Sequence, residues 1–347
     1  MNMRPIQHIP KPLARLLPTS RLGGQRLCRG KLVVVLSAAM LLSGGAAAQE
    51  FPSRSVRLIA PFPPGGAVDI IARTMGPPLS RGLGQSVIVE NRPGGNTVIG
   101  AEVVVRAPAD GHALLLMAQS YTVNSIVRSK LPYDTFKDFT GVTRLASNPL
   151  VVSVHPSVPA RTLKQLVSLA RARPGELTFA TASLLGGQRL AMELFKEAAK
   201  IDVIAVPYGG GAPAATAVIG GHTVILVANI AETAPFAAAG KLRALAVTSL
   251  GRHDLLPEIP SIAESGYPGF EALNWFGAVA RSATPKSVLQ RLNVEITKAL
   301  ESPEAKGVLT RQGLAPAPLS PEAFDAFLKA ETDRNARVIR ALNLRVE

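Results

Sequence analysis

Between residues 56 and 247 short apolar runs alternate with helical patterns, and four of the handovers from run to helix pass through a glycine-rich turn. The runs cover 56–60, 86–90, 113–117, 150–154, 177–180, 203–206, 224–227 and 243–247, and another begins at Trp275. Most are apolar on nearly every residue, which is how strands buried on both faces read. The segments between them follow a helical period. In 188–200, Leu190, Ala191, Leu194, Phe195 and Ala198 share one face, with Glu193, Lys196 and Glu197 opposite. In 162–173 the apolar face is Leu163, Leu166, Val167 and Ala170, and the pattern stops at Pro174-Gly175. A long helical stretch, 321–341, closes the chain. Such alternation predicts an α/β architecture: two mostly parallel sheets with helices on both faces.

At 347 residues the chain has room for two domains. Two proline-rich breaks divide it, one at Asn148-Pro149 and one over 257–270. The predicted arrangement is residues 49–148 plus 271–347 as one lobe and 149–270 as the other. The chain then crosses between lobes twice, and the cleft that results is a favoured place for a small ligand.

Residues 1–48 read differently. They hold seven basic residues and no acidic one, then a mostly apolar run of 11 residues from Leu32 to Leu42, then Ala46-Ala47-Ala48. A basic start, a short apolar stretch and an Ala-x-Ala end form a secretory leader, with cleavage expected after Ala48. The apolar run is shorter than the roughly 20 residues that span a bilayer. The single cysteine, Cys28, lies in the leader. The exported chain is therefore free of thiols, which suits an oxidising compartment. The net charge of +14 halves once the leader is set aside, because 31 basic residues then face 24 acidic ones. No Lys/Arg run interleaves with aromatics, so nucleic acid is not the expected partner.

No Gly-x-Ser-x-Gly, His-Glu-x-x-His or Walker-type signature occurs, and His112 and His222 have no partner at metal or triad spacing. Neither a catalytic residue nor a metal or cofactor is expected. The informative segments are the four turns: Pro61-Phe62-Pro63-Pro64-Gly65-Gly66, Arg92-Pro93-Gly94-Gly95-Asn96, Leu185-Gly186-Gly187, and Val206-Pro207-Tyr208-Gly209-Gly210-Gly211. Each precedes a helix, where unsatisfied N–H groups and the helix dipole favour an anion. Two fall in each predicted lobe, so they can converge on a carboxylate across the cleft. Asp69 either complements the dipole of its own helix or holds the amine of a ligand. Arg189 either faces water or clamps a carboxylate.

At these residues the chain resembles the tripartite tricarboxylate transporter receptor family, also called the Bug family of periplasmic solute-binding proteins. The resemblance runs from about Phe51 to the end. Its blocks are Phe51-Pro52 with residues 61–66, Asp69, Ala72 and Arg73, then Glu90-Asn91-Arg92-Pro93-Gly94-Gly95-Asn96 and Pro108-Ala109-Asp110-Gly111-His112. Later blocks are Leu190-Ala191 with Glu193 to Lys196, Val206-Pro207-Tyr208, Leu245-Ala246-Val247-Thr248, and 264–271 with Trp275 and Thr284-Pro285. The resemblance implies a two-lobed, type II-like periplasmic binding protein with two interlobe crossings, closing on a small organic acid without chemistry. It implies ligand contacts at Phe62, Gly65, Gly66, Asp69, Gln119, Ser120, Thr181, Ala182, Ser183, Tyr208 and Asn229. It also implies a monomer in the periplasm that passes its load to membrane transporter subunits. An exported hydrolase or isomerase on the same scaffold is the alternative. The chain departs from the family pattern at Leu184 to Arg189 and at Gly209, where a Gly/Ser-rich loop with His and a Lys are usual. The two leucines suit a ligand with an apolar body.

Overall fold

The computed structural model describes residues 51–128 and 130–341; the expected leader and its cleavage point lie outside the described residues. The first half of the chain supplies β1 (Val56–Ala60), α1 (Ala67–Leu83), β2 (Val87–Asn91), a 3-10 turn (Gly95–Thr97), α2 (Val98–Val105), β3 (Ala113–Ala118), α3 (Ser120–Val127) and β4 (Phe139–Val154). Then follow α4 (Leu163–Ala172), β5 (Thr178–Thr181), α5 (Gly187–Ala199), β6 (Ile204–Pro207), α6 (Gly211–Ile219), β7 (Ile225–Asn229), α7 (Ile230–Ala238) and β8 (Arg243–Val247). The chain closes with β9 (Leu273–Arg281), α8 (Lys286–Glu301), α9 (Pro303–Arg311), β10 (Ala315–Pro316) and α10 (Pro321–Ala341).

The strands join in one ladder, β2-β1-β3-β9-β4-β7-β5-β6, with β8 and β10 added on β4. Pairing is parallel for β1 with β2 and β3, and for β5 with β6 and β7. It is antiparallel wherever β4 or β9 takes part with β3, β7, β8, β10 or each other. The expected α/β architecture is the one observed, with parallel strands in each half; the ladder as a whole is mixed, because the two crossing strands run against their neighbours.

Asn148-Pro149, read in the sequence as a break, lies inside β4. Residues 139–149 of this strand pair with β9, and Leu150 to Val154 pair with β7 and β8. Pro149 sits where the partner changes, a place at which a missing N–H donor is least costly. One strand therefore carries the chain from one half to the other. The return runs from Thr248, whose carbonyl accepts from Ala272 N–H at 2.9 Å, into β9.

Each half buries both faces of its inner strands, as the continuous apolar runs demand, while the edge strands β2 and β6 leave Ile88 and Ile204 about half exposed. In the first half Leu58, Leu114, Leu116, Ala278 and Ala280 pack under α1 and α8 with Ile71, Met75, Leu292 and Ile296. The alternate residues Ile59, Leu115, Met117 and Val279 pack with Ala101, Val104, Trp275, Phe324 and Leu328. In the second half Phe179, Ile225 and Val227 face α4 and α5 through Leu166, Phe195 and Ala199. Ala180, Leu226 and Ala228 face α6 through Ala214, Ala215 and Val218. Alternation along each strand divides its residues between two cores, so period two persists even where every residue is apolar.

Candidate functional site

All four glycine-rich turns border one cavity of about 890 Å³. Its wall comprises 61–68, 93–94, 96–97 and 182–188, then 208–213, with Ser120, Asn124, Arg128, Asn229, Glu232, Asn274 and Phe276 among the rest. The turns meet because strand ends of both halves point at the place where β4 changes partner from β9 to β7. Gly65 turns at φ +82°, a left-handed conformation that a residue with a Cβ adopts only at a cost. Gly210 opens α6 at φ +152°.

Four of the helices that start at this cavity have no side-chain cap. Gly66 before α1, Thr97 before α2, Gly186 before α5 and Gly210 before α6 contribute no side-chain cap. By contrast Thr162 Oγ1 accepts from Gln165 N–H ahead of α4, and Ser302 Oγ accepts from Ala305 N–H ahead of α9. Uncapped first-turn N–H groups require an acceptor from water or a ligand. The hydroxyl of Ser120, on a lining residue, is buried and also lacks a partner.

Of the residues implied as contacts, Phe62, Gly65, Gly66, Ser120, Ala182, Ser183, Tyr208 and Asn229 line the cavity. Asp69, Gln119 and Thr181 do not, and each is engaged elsewhere. The Asp69 carboxylate accepts from Gly65 N–H at 3.0 Å, from Arg73 Nε at 2.9 Å and from Asn91 Nδ2 at 2.9 Å. Burial acts to raise its pKa, but the donors Arg73, Gly65 and Asn91 outweigh it and hold the carboxyl below the usual range. Asp69 is a brace for the first turn. Gln119 Nε2 donates to Asn335 Oδ1 at 3.2 Å and reaches toward Glu331, and Thr181 is fully buried beneath Ser183. The Ala182 N–H donates to Gln188 Oε1, and the Tyr208 N–H to the Thr181 carbonyl, so these two residues offer the cavity surface rather than a free amide. Arg189 is neither solvated nor a clamp: it pairs with buried Glu193 at 2.6 Å and lies over the Phe179 ring.

Wall residues Asn124 and Asn274 were not singled out in the sequence. Asn148 behind the wall, Asn229 and Asn274 come from β4, β7 and β9, and the register Asn148↔Asn274 and Leu150↔Asn229 brings them together. Asn229 Oδ1 accepts from both of the other amides, at 2.9 and 3.3 Å. Asn96 and Asn124 bond each other, side chain to side chain at 2.9 Å. The apolar part of the wall is Phe62, Leu184, Pro213 and Phe276, and Leu184 is 46% exposed to the cavity mouth. Asparagine clusters carry no spacing signal in sequence, because strand register alone assembles them. Behind the wall, Trp275 is buried, and its indole N–H donates to Glu331 Oε2 at 3.0 Å.

The family model described as tripartite tricarboxylate transporter family receptor matches residues 71–344. A UPF0065 protein in the tcbD-tcbE intergenic region of a Pseudomonas sp. is 39% identical over 290 residues, covering 83% of this chain and 86% of its own. Among solved structures, an R. palustris protein with adipate is 34% identical with a TM-score of 0.78, covering 84% of this chain and 98% of that one. MatC from Rhodopseudomonas palustris, with bound malate, is 27% identical with a TM-score of 0.74, over 83% and 100%.

Proposed function

The chain belongs to the tripartite tricarboxylate transporter receptor family, and from that premise we propose that it captures a small organic carboxylate in the cavity between its halves. The observation that carries this reading is the convergence of four uncapped helix starts from both halves on one cavity. Such ends supply fixed N–H dipoles to an anion. The adipate and malate held by related proteins support an acid as cargo.

The first lobe is 49–148 plus 271–347 and the second 149–270, with ligand contacts from Phe62, Gly65, Gly66, Ser120, Ala182, Ser183, Tyr208 and Asn229. Residues 1–48 act as a leader cleaved after Ala48. The receptor works as a monomer in the periplasm, hands its load to membrane transporter subunits and performs no chemistry. A panel of mono-, di- and tricarboxylates tests this by thermal shift and Trp275 fluorescence. A raised melting temperature and an altered emission with at least one acid are expected, since Trp275 adjoins lining residues Asn274 and Phe276. No response across the panel, or turnover of a bound acid, contradicts the reading.

A further inference from the structure

Among the described residues that line the cavity, two carry charge: Arg128 and Glu232. Arg128 Nη2 donates to the Gly95 carbonyl at 3.3 Å. Glu232 is half-buried and, unlike the fully buried acids of the fold, has no cation beside it among the described residues. Asp69, Glu193, Glu295 and Glu331 are the buried carboxylates, and each has an Arg or Lys nitrogen within 3.4 Å. Glu232 stands in the first turn of α7, and its carboxylate packs against Gly211 at the start of α6, where even a methyl group would collide with it. One oxygen, Oε2, takes both the Asn229 N–H at 3.1 Å and the Asn229 Nδ2 at 2.9 Å. Among the described residues, the other oxygen, Oε1, receives no donor and no cation pairs with the group.

A half-buried carboxylate with one oxygen free of protein donors is completed by water or by a donor on the ligand. The protein pairs its fully buried acids with cations and leaves this one, at the wall of the ligand cavity, with the Asn229 donors alone. We infer that Glu232 is a specificity residue that accepts a hydrogen bond from an ammonium or hydroxyl group of the ligand, so that the cleft prefers amino or hydroxy acids to dicarboxylates of equal length. Resting on the carboxylate reading above, it assigns the two ends of the ligand. The acid end lies on the open starts of α1, α2 and α5, and the donor end meets Glu232 at the start of α6. A second carboxylate placed there would face a like charge. Burial pushes the Glu232 carboxyl up despite the Asn229 donors, as expected of a group whose partner arrives with the ligand.

The test uses calorimetry with straight-chain acids of four to six carbons ending in methyl, hydroxyl, ammonium or a second carboxylate. They are compared on the wild type, Glu232→Gln and Glu232→Asp. The wild type is expected to bind the ammonium- or hydroxyl-ended acid about 10-fold or more tighter than the dicarboxylate, the scale of one hydrogen bond to a charged group. Glu232→Gln should lose most of that preference while binding the methyl-ended acid within about 2-fold of wild type. Glu232→Asp, which keeps the charge on a shorter arm, should restore part of it. A uniform loss across all four acids, or a dicarboxylate preference that Glu232→Gln leaves unchanged, overturns the role of Glu232 alone. Binding of none of the four to the wild type contradicts the carboxylate reading as well. Far-UV circular dichroism on each variant separates these results from misfolding.

Discussion

Asp69 and Glu232 occupy the same local setting in opposite halves of the molecule and have opposite fates. Each lies in the first turn of a helix next to a glycine turn of the cavity wall. Asp69 is turned away from the cavity, gathers Arg73, Asn91 and the Gly65 N–H, and has its pKa held down. Glu232 faces the cavity with Asn229 alone, and its pKa is pushed up. The difference shows that a carboxylate near a helix start is not by itself a binding group or a brace. The role depends on whether the protein completes its partners.

Gly211→Ala should break the comparison most severely. Its Cβ would drive into the Glu232 carboxylate, whereas Gly211 lies outside the left-handed region and tolerates a side chain locally. Calorimetry should show affinity for the preferred acid falling by roughly 10-fold or more while the fold persists. Next in size, Asp69→Asn removes the charge that Arg73 and the Gly65 N–H meet. A loss of about 1–3 kcal/mol should lower the melting temperature by several degrees, with only a secondary loss of affinity as the first turn loosens. Such a melt shift with Glu232→Gln as well would erase the distinction.

The two carboxyls should also separate by pH. Asp69 has a lowered folded pKa, so its stabilisation is present above the unfolded carboxylate range and is lost as pH falls through the folded value. Glu232 has a raised folded pKa, so its contribution is present below the unfolded range and is lost as pH rises through the folded value. Melting curves from pH 3 to 8 should show the deficit of Asp69→Asn shrinking toward acid. Over the same range Glu232→Gln should gain on wild type toward neutral pH. The smallest effect is expected from Leu184→Ser at the mouth. Removing a half-exposed leucine should weaken acids with an apolar body by a few-fold, about 1 kcal/mol or less, and leave short polar acids unchanged.

Much of this arrangement was legible in the chain, and the exceptions share a cause. The strand beginning at Val56 and the helix over 321–341 match the structure because local periodicity determines them. The glycine turns, and with them most of the cavity wall, were visible because backbone approach demands that residue type. What local pattern hid was everything decided by pairing at a distance. Asn148-Pro149 reads as a break because of its proline, yet both residues lie inside β4 and β9 holds them in register. Gln119 and Thr181 sit beside true wall residues but are drawn off by Asn335 and Ser183, partners no spacing rule reveals. Glu232 went unnoticed because a first-turn glutamate is commonplace, and only the absence of a cation around it marks it.

A crystal structure of the leader-free protein with its tightest-binding acid tests the account most directly. The expected density places a ligand carboxylate oxygen roughly 2.7–3.2 Å from a backbone nitrogen among residues 65–68, with the same molecule touching the second half at residues 183–188 or 208–213. An acid seated outside this cavity, or held by one half alone, would contradict it.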